Sequence, residues 1–208
     1  MNKLPFRLYL ISDRTLAKGK SLEAIVEEAC GSGLRAFQLR EKDLPDRQLY
    51  ELALRLRNIT KPFGTLLFIN NRIDISLAAG ADGIQCPVDG IPIPVARKFM
   101  RNSLMGASTH SPEQALKAER DGADFITFGP IFPTPSKAQY GAALGLDALK
   151  QVTSVLKIPV FAIGGITPER AAECRKRGAY GVAVISAILA AQDFPSTIRE
   201  FSSALGGL

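Results

Sequence analysis

The sequence predicts a single α/β domain over residues 1–208, a closed (β/α)8 TIM barrel, and three observations predict it. Short apolar runs rich in β-branched residues alternate along the chain with longer segments of helical period. Runs such as VFAI and GVAVI are nearly continuous in apolar residues. That suits parallel strands covered on both faces better than half-exposed antiparallel ones. Three helix-to-strand joints resemble one another, namely Ala-Gly-Ala-Asp-Gly (79–83), Asp-Gly-Ala-Asp (121–124) and Arg-Gly-Ala-Tyr-Gly (177–181), so one βα unit recurs.

In chain order the predicted strands are Leu8–Ser12, Ala36–Arg40, Thr65–Asn70, Gly83–Cys86, Leu104–Ser108, Phe125–Phe128, Pro159–Ile163 and Gly181–Ile185. Ser21 precedes LEAIVEEAC as a helix cap, and Gly31 and Gly33 end that helix. Ser111-Pro112-Glu113 opens a second readable helix, which Gly122 stops, and Thr167-Pro168-Glu169 opens a third, which ends at Gly178. Ser186 precedes another helical segment. Eight units in 208 residues average about 26 residues each, near the low end for a closed barrel with right-handed crossovers. An open doubly wound sheet is the runner-up, and it is disfavoured because no GxGxxG follows the first strand.

Composition narrows the function classes. The chain has 26 Lys and Arg against 20 Asp and Glu, a net charge of +6 that favours anionic ligands. No Lys/Arg run concentrates that charge, which argues against a nucleic-acid role. Cys30, Cys86 and Cys174 are odd in number and far apart, unlike a disulfide framework or a zinc site, so a reducing, cytoplasmic compartment is expected. No apolar run approaches the ~18 residues of a membrane span. The apolar patch in MNKLPFRLYLISD reads as a first strand rather than a signal peptide.

Ligands of such a barrel bind at the carboxyl ends of the strands. The residues expected there are Asp13, then Gln38, Arg40, Glu41 and Lys42, then Asn70, Asn71 and Arg72, then Gln85 and Asp89. Ser108, Thr109 and His110 follow strand 5, and the long loop GPIFPTPSKAQYGA follows strand 6. Gly164 and Gly165 follow strand 7, and Ser186 ends strand 8. Backbone N–H groups at Gly164-Gly165 and Ser186 suit a phosphate at a helix start. Alternation would send Gln38, Arg40 and Lys42 inward as one row of donors. Thr134, Ser136 and Lys137 add two hydroxyls and an ammonium. Two cationic groups beside the glycine cradle suit a diphosphate, or two phosphorylated ligands, better than one monophosphate. The plainer readings are a tight turn at Gly164-Gly165, a solvated edge with Glu41 as an internal partner, a surface loop at 134–137, a structural His110 and packing cysteines. Tyr9 and Tyr140 read as packing or lid contacts, with Tyr9 also a candidate for substrate binding, and 131–144 as a lid over the mouth.

FQLREK (37–42), FINNRIDISLAAGADGIQ (68–85), GASTHSPEQALKAERDGADFITFGPIFPTPSK (106–137), PVFAIGGITPERAAE (159–173) and GVAVISAI (181–188) resemble the thiamin phosphate synthase family over essentially the whole chain. The resemblance implies a (β/α)8 barrel. Its synthase members join hydroxymethylpyrimidine diphosphate to thiazole phosphate, release diphosphate and use Mg2+. A related branch aromatises a carboxylated thiazole phosphate by moving a proton, without metal. By matching motifs, Gln38, Arg40 and Lys42 would hold the pyrimidine and diphosphate, and Asn70 the pyrimidine. Ser108, Thr134, Ser136 and Lys137 would complete the phosphate contacts, and Gly165, Ile185 and Ser186 would bind the thiazole phosphate. A homodimer is compatible with the likeness.

The sequence departs from the synthase pattern at three places. Asn70-Asn71 stands for the family's Asn-Asp, Gln85 for its His after strand 4, and Gly90 for the second metal-binding carboxylate, with Asp89 one place earlier as a shifted metal ligand. The tautomerase branch shows Asn-x-Arg-x-Asp and Gln-x-Pro, which Asn70–Asp74 and Gln85–Pro87 match, and its acid-base His would be His110, the one histidine of the chain. Three functions follow. One is a synthase acting through Arg40, Ser108 and Lys137. The second is a metal-independent thiazole tautomerase acting through His110. The third is a non-catalytic phosphate-ligand sensor or degenerate paralogue.

Overall fold

The computed structural model describes residues 4–17, 19–134 and 142–207. Eight parallel strands close into a barrel in the order β1 to β8, with β1 pairing β8. They are β1 (Leu8–Ile11), β2 (Ala36–Leu39), β3 (Leu66–Asn70), β4 (Gly83–Cys86), β5 (Leu104–Thr109), β6 (Phe125–Phe128), β7 (Val160–Ile163) and β8 (Gly181–Val184). Around them lie α1 (Leu22–Gly31), α2 (Asp46–Thr60), α3 (Ile73–Ala78), α4 (Ile93–Phe99), α5 (Pro112–Arg120), α6 (Gly145–Val155), α7 (Pro168–Lys176), α8 (Ser186–Leu189) and α9 (Phe194–Ala204). Among the described residues no helix is long and apolar enough to cross a membrane.

The predicted caps form as hydrogen bonds. The hydroxyls of Ser21, Ser111 and Thr167 accept from the N–H groups of Ala24, Gln114 and Arg170, and Pro112 and Pro168 open their helices where no N–H is needed. At the joints, the N–H groups of Leu34, Ala81, Ala123 and Ala179 each bond the carbonyl five residues back, at Ala29, Ser76, Ala118 and Cys174. That closure needs a left-handed residue just before it, supplied by Gly33, Gly80, Gly122 and Gly178.

The joint aspartates explain the recurrence further. Asp82 Oδ2 accepts from the Leu67 N–H at 2.8 Å and Arg57 Nη1 at 2.7 Å. Asp124 Oδ2 accepts from the Met105 N–H at 2.7 Å and Arg97 Nη2 at 2.8 Å. Each carboxylate thus ties a strand start to the helix before it, at the amino end of the barrel. At the third joint Tyr180 stands in that place, and its hydroxyl donates to the Leu4 carbonyl.

Two apolar layers form the core. The outer one fills the space between strands and helices, and all three cysteines are buried, Cys30 on α1, Cys174 on α7 and Cys86 on β4. The inner one is aromatic: Phe6, Tyr9, Phe68, Phe125 and Phe161 pack with ring centroids 5.1 to 6.2 Å apart, mostly edge to face. Small residues make the room. A Cβ at Gly83 would lie 2.5 Å from Phe68, at Gly106 2.5 Å from Phe125, and at Gly181 2.7 Å from Phe161. The aromatic layer closes the lower barrel, so a ligand can enter only from the carboxyl end.

Candidate active site

Above the aromatic layer lies a floor of polar side chains. Gln38 Nε2 donates to Tyr9 Oη at 3.0 Å, and the Tyr9 hydroxyl donates to Gln85 Oε1 at 3.4 Å. Gln85 Nε2 donates to Ser108 Oγ at 3.1 Å and reaches Thr127 Oγ1 at 3.5 Å. Gln38 and Gln85 are each 1% exposed and Tyr9 is 0% exposed, so these bonds replace water that cannot enter. Tyr9 therefore sits beneath the mouth, with its hydroxyl held between the two glutamines. Among the described residues no side-chain nitrogen or oxygen atom that is itself sealed from solvent lacks a partner.

The row after β2 is only partly set by strand alternation. β2 stops at Leu39 and the chain turns at 42–43, leaving Arg40 half-buried and Lys42 exposed. The Arg40 N–H donates to Ser12 Oγ at 2.7 Å, which fixes the backbone at the strand tip. Glu41 is buried and faces away, accepting from the Arg14 backbone N–H and from its guanidinium at 3.1 Å, while Arg14 also holds Asp43. Glu41 is therefore not the internal partner of Arg40 or Lys42, and among the described residues neither cation has a carboxylate within salt-bridge distance. Arg72 contrasts with them, because Asp46 and Asp74 occupy it and the guanidinium in turn holds the Asp74 carboxyl below the usual carboxylate range. Asp13 is committed to its own turn, accepting from the Thr15 N–H.

Beyond β3 and β4, Asn70 is half-buried and Asn71 is left-handed at φ 56°, a conformation that asparagine tolerates. Asn71 Oδ1 accepts from the Ile91 N–H at 3.3 Å. A Cβ placed on Gly90 would lie 2.3 Å from that same oxygen. The fold thus brings together the two positions where the resemblance expects metal carboxylates, but they hold a neutral, already bonded amide and no side chain. Asp89 is exposed, and among the described residues no cluster of three His, Cys, Asp or Glu forms. Mg2+ favours hard anionic oxygens, so these residues do not fit it at that place.

His110 is exposed at the β5 tip, where its Nδ1 meets the Gly129 carbonyl at 2.6 Å and its backbone N–H donates to Gln114 Oε1 at 2.7 Å. A carbonyl can only accept, so Nδ1 carries the hydrogen and Nε2 is left as the open nitrogen. Thr109 is buried and donates to the Thr127 carbonyl. Burial pushes the Cys86 thiol up to about 11, so it stays protonated and unreactive near neutrality.

Gly164 and Gly165 are left-handed at φ 95° and 64° because the loop after β6 lies against them. A Cβ on Gly164 would lie 2.5 Å from Pro130, and one on Gly165 2.7 Å from the Pro133 carbonyl. The N–H groups of Ile131 and Phe132 bond the Ile163 and Gly164 carbonyls, and Arg170 lies over the Phe132 ring while donating to the Gly165 carbonyl. The tight turn is thus real, and it also shapes the rim between β6 and β8. Ile185 is half-buried and Ser186 is exposed at the start of α8. Thr134 is half-buried. Ser136, Lys137 and Tyr140 lie outside the described residues, as does most of the expected lid.

Sequence reasoning placed these residues at the rim but did not find the floor. The signal was available, since Tyr9, Gln38, Gln85, Ser108 and Thr127 fall on inward positions of their strands.

A family model described as thiamine monophosphate synthase matches residues 8–188. A relative from Geobacter sulfurreducens is 52% identical over 194 residues, 93% of this chain and 91% of its own. The thiamine-phosphate synthase of Chloroflexus aurantiacus is 42% identical, over 94% of this chain and 90% of its own. The solved structure of the thiamine phosphate pyrophosphorylase from Pyrococcus furiosus superposes with a TM-score of 0.88 at 39% identity, covering 96% of this chain and 95% of that one. With a match running from β1 into α8 and the barrel in common, the chain belongs to the thiamine monophosphate synthase family.

Proposed function

We propose that this protein is a thiamine-phosphate synthase, a transferase that joins hydroxymethylpyrimidine diphosphate to thiazole phosphate and releases diphosphate. One observation carries the reading: Arg40 and Lys42 stand at the mouth without a carboxylate partner among the described residues, while neighbouring arginines are paired. In the reaction the bond between the pyrimidine methylene carbon and the diphosphate oxygen breaks, and the electron pair leaves with diphosphate. The lone pair of the thiazole nitrogen then forms the new carbon–nitrogen bond. Negative charge gathers on the leaving group, and preorganised cations with no competing carboxylate stabilise that charge.

Gln38 and Asn70 hold the pyrimidine. Arg40, Lys42 and Ser108, with Thr134, Ser136 and Lys137 from the loop after β6, hold the diphosphate. Gly164, Gly165, Ile185 and Ser186 receive the thiazole phosphate. The closed aromatic layer and the buried floor keep water from the cationic pyrimidine from below. No step is assigned to a metal at positions 71 and 90.

The test is incubation of purified protein with both substrates, with Mg2+ and with chelator, and quantitation of thiamin phosphate. Product is expected, and its absence at every Mg2+ concentration overturns the synthase reading. A second reading, thiazole tautomerase, is favoured by the missing carboxylates at 71 and 90 together with the open Nε2 of His110. Aromatisation of the carboxythiazole phosphate followed by ultraviolet absorbance tests it, and a rate unchanged in His110→Ala rules out that mechanism. Failure of both assays with retained thiazole phosphate binding would point to the sensor.

A further inference from the structure

The hydrogen bonds of the floor run in one direction. Gln38 donates to Tyr9, Tyr9 donates to Gln85, and Gln85 donates to Ser108. A tyrosine hydroxyl has one hydrogen, and since Gln38 already fills Oη as an acceptor, that hydrogen goes to Gln85 Oε1. The amide end of Gln85 is then turned to Ser108 and Thr127, whose hydroxyl oxygens accept. Two consequences reach the mouth. The Ser108 oxygen accepts from below, and its own hydrogen is committed to no described residue. Gln38 Oε1 likewise bonds no described residue.

We propose that Gln85 is a positioning residue that never touches the ligand but fixes the polarity of this chain, making Ser108 a donor to an anionic phosphate oxygen and Gln38 an acceptor for an amino group of the organic half. The identity of those ligands rests on the synthase reading above. An anionic oxygen takes only donors, so a reversed chain that used the Ser108 hydrogen below would weaken phosphate binding while leaving the barrel intact.

Few charged groups surround Gln85. Tyr9 comes from β1, Cys86 follows on β4, Arg40 follows β2 and His110 follows β5, while β3, β6, β7 and β8 carry no titratable residue. Gln85→Glu exploits that setting. The protonated acid still donates to Ser108 and accepts from Tyr9, whereas the carboxylate only accepts and would take the Ser108 hydrogen.

The experiment measures inorganic diphosphate binding by calorimetry, together with kcat and KM, between about pH 5 and 9 for wild type and variants, each compared as a ratio to wild type. The Gln85→Glu ratio should stand near one at the acid end and fall by about 10-fold as the side chain ionises, with KM for the pyrimidine diphosphate rising more than kcat falls. Gln85→Met should bind weakly at every pH with no such limb. A Gln85→Glu ratio constant with pH, or Gln85→Met binding as tightly as wild type, overturns the positioning role. If Gln85→Glu does not fold, the Gln85→Met arm decides alone. Wild type that binds no diphosphate and makes no thiamin phosphate overturns the synthase reading together with this one. Wild type that does both, beside variants that follow its profile, overturns only the role of Gln85.

Discussion

The two ends of the barrel are built from the same kinds of residue, but at the carboxyl end Arg40 and Lys42 have no carboxylate partner among the described residues. At the amino end charge is matched: Asp82 takes Arg57 and Asp124 takes Arg97, and each carboxylate also takes the N–H of the second residue of a strand. Arg7 there donates to the Leu205 carbonyl, and Arg175 to the carbonyls of Ala179 and Tyr180. At the carboxyl end Arg40 and Lys42 are unmatched, and Asn71 is held left-handed. An arginine whose partners are all within the protein contributes to folding. One whose partners are missing is available to an anion from outside, and Arg40 is in that state on the same rim where Arg14 and Arg72 are paired.

The contrast can be broken most directly at Arg40. Arg40→Ala should lower kcat/KM for thiamin phosphate formation by about 100-fold or more, the scale of losing a preorganised charge donor, with the melting temperature unchanged. A large drop in melting temperature would mean that Arg40 is structural and would erase the difference between the ends. At the other end, Asp124→Ala should behave in the opposite way. It leaves the Met105 N–H without its acceptor and Arg97 without its carboxylate, though with the Ser103 and Gly122 carbonyls still in place, at a cost of about 1–3 kcal/mol in urea denaturation with kcat unchanged. Gly106→Ala lies between the two, because its new methyl meets Phe125 and Gln85 Oε1 at once. We expect about 1–3 kcal/mol of destabilisation together with a raised KM, since the floor moves with the core.

Two smaller effects sharpen the comparison. Asn71→Asp puts a carboxylate where the mouth now has an amide, and should add Mn2+ binding, read by electron paramagnetic resonance, that wild type lacks. Equal binding in both proteins would show that residue 71 does not decide the metal. Cys86, raised by burial from 9.0 to about 11, is protonated in the fold at a pH where the unfolded chain has lost its proton. Its contribution is therefore intact below about pH 9 and is lost as pH rises toward 11. The denaturation midpoint of wild type should fall more steeply across that window than that of Cys86→Ala, and parallel curves would refute this.

Much of the fold was legible because each βα unit carries its own punctuation. Gly83–Cys86 and Phe125–Phe128 form with the predicted bounds, and β2 and β8 end one residue early where the chain turns toward the mouth. The rim was legible for a similar reason, since a strand end is also a composition change. The floor was not. Tyr9, Gln38 and Gln85 are polar positions within apolar strands, and only the closed register shows that they meet across the barrel. The meeting of Asn71 with Gly90 is also invisible in sequence, because it depends on a left-handed backbone at residue 71.

The aspartate joints bear on how the chain comes to be a barrel at all. Asp82 and Arg57 are separated by 25 residues and Asp124 and Arg97 by 27, whereas Arg7 and Leu205 are separated by 198. Short loops close at low entropic cost, so the two aspartate ties can form while the sheet is still an open ribbon, and the seam between β1 and β8 must come last. The grain of assembly is then a pair of βα units around each aspartate, with the mouth acquiring its shape only when the seam closes. A chain shortened to end after β6 would keep both ties but have neither the seam nor the mouth.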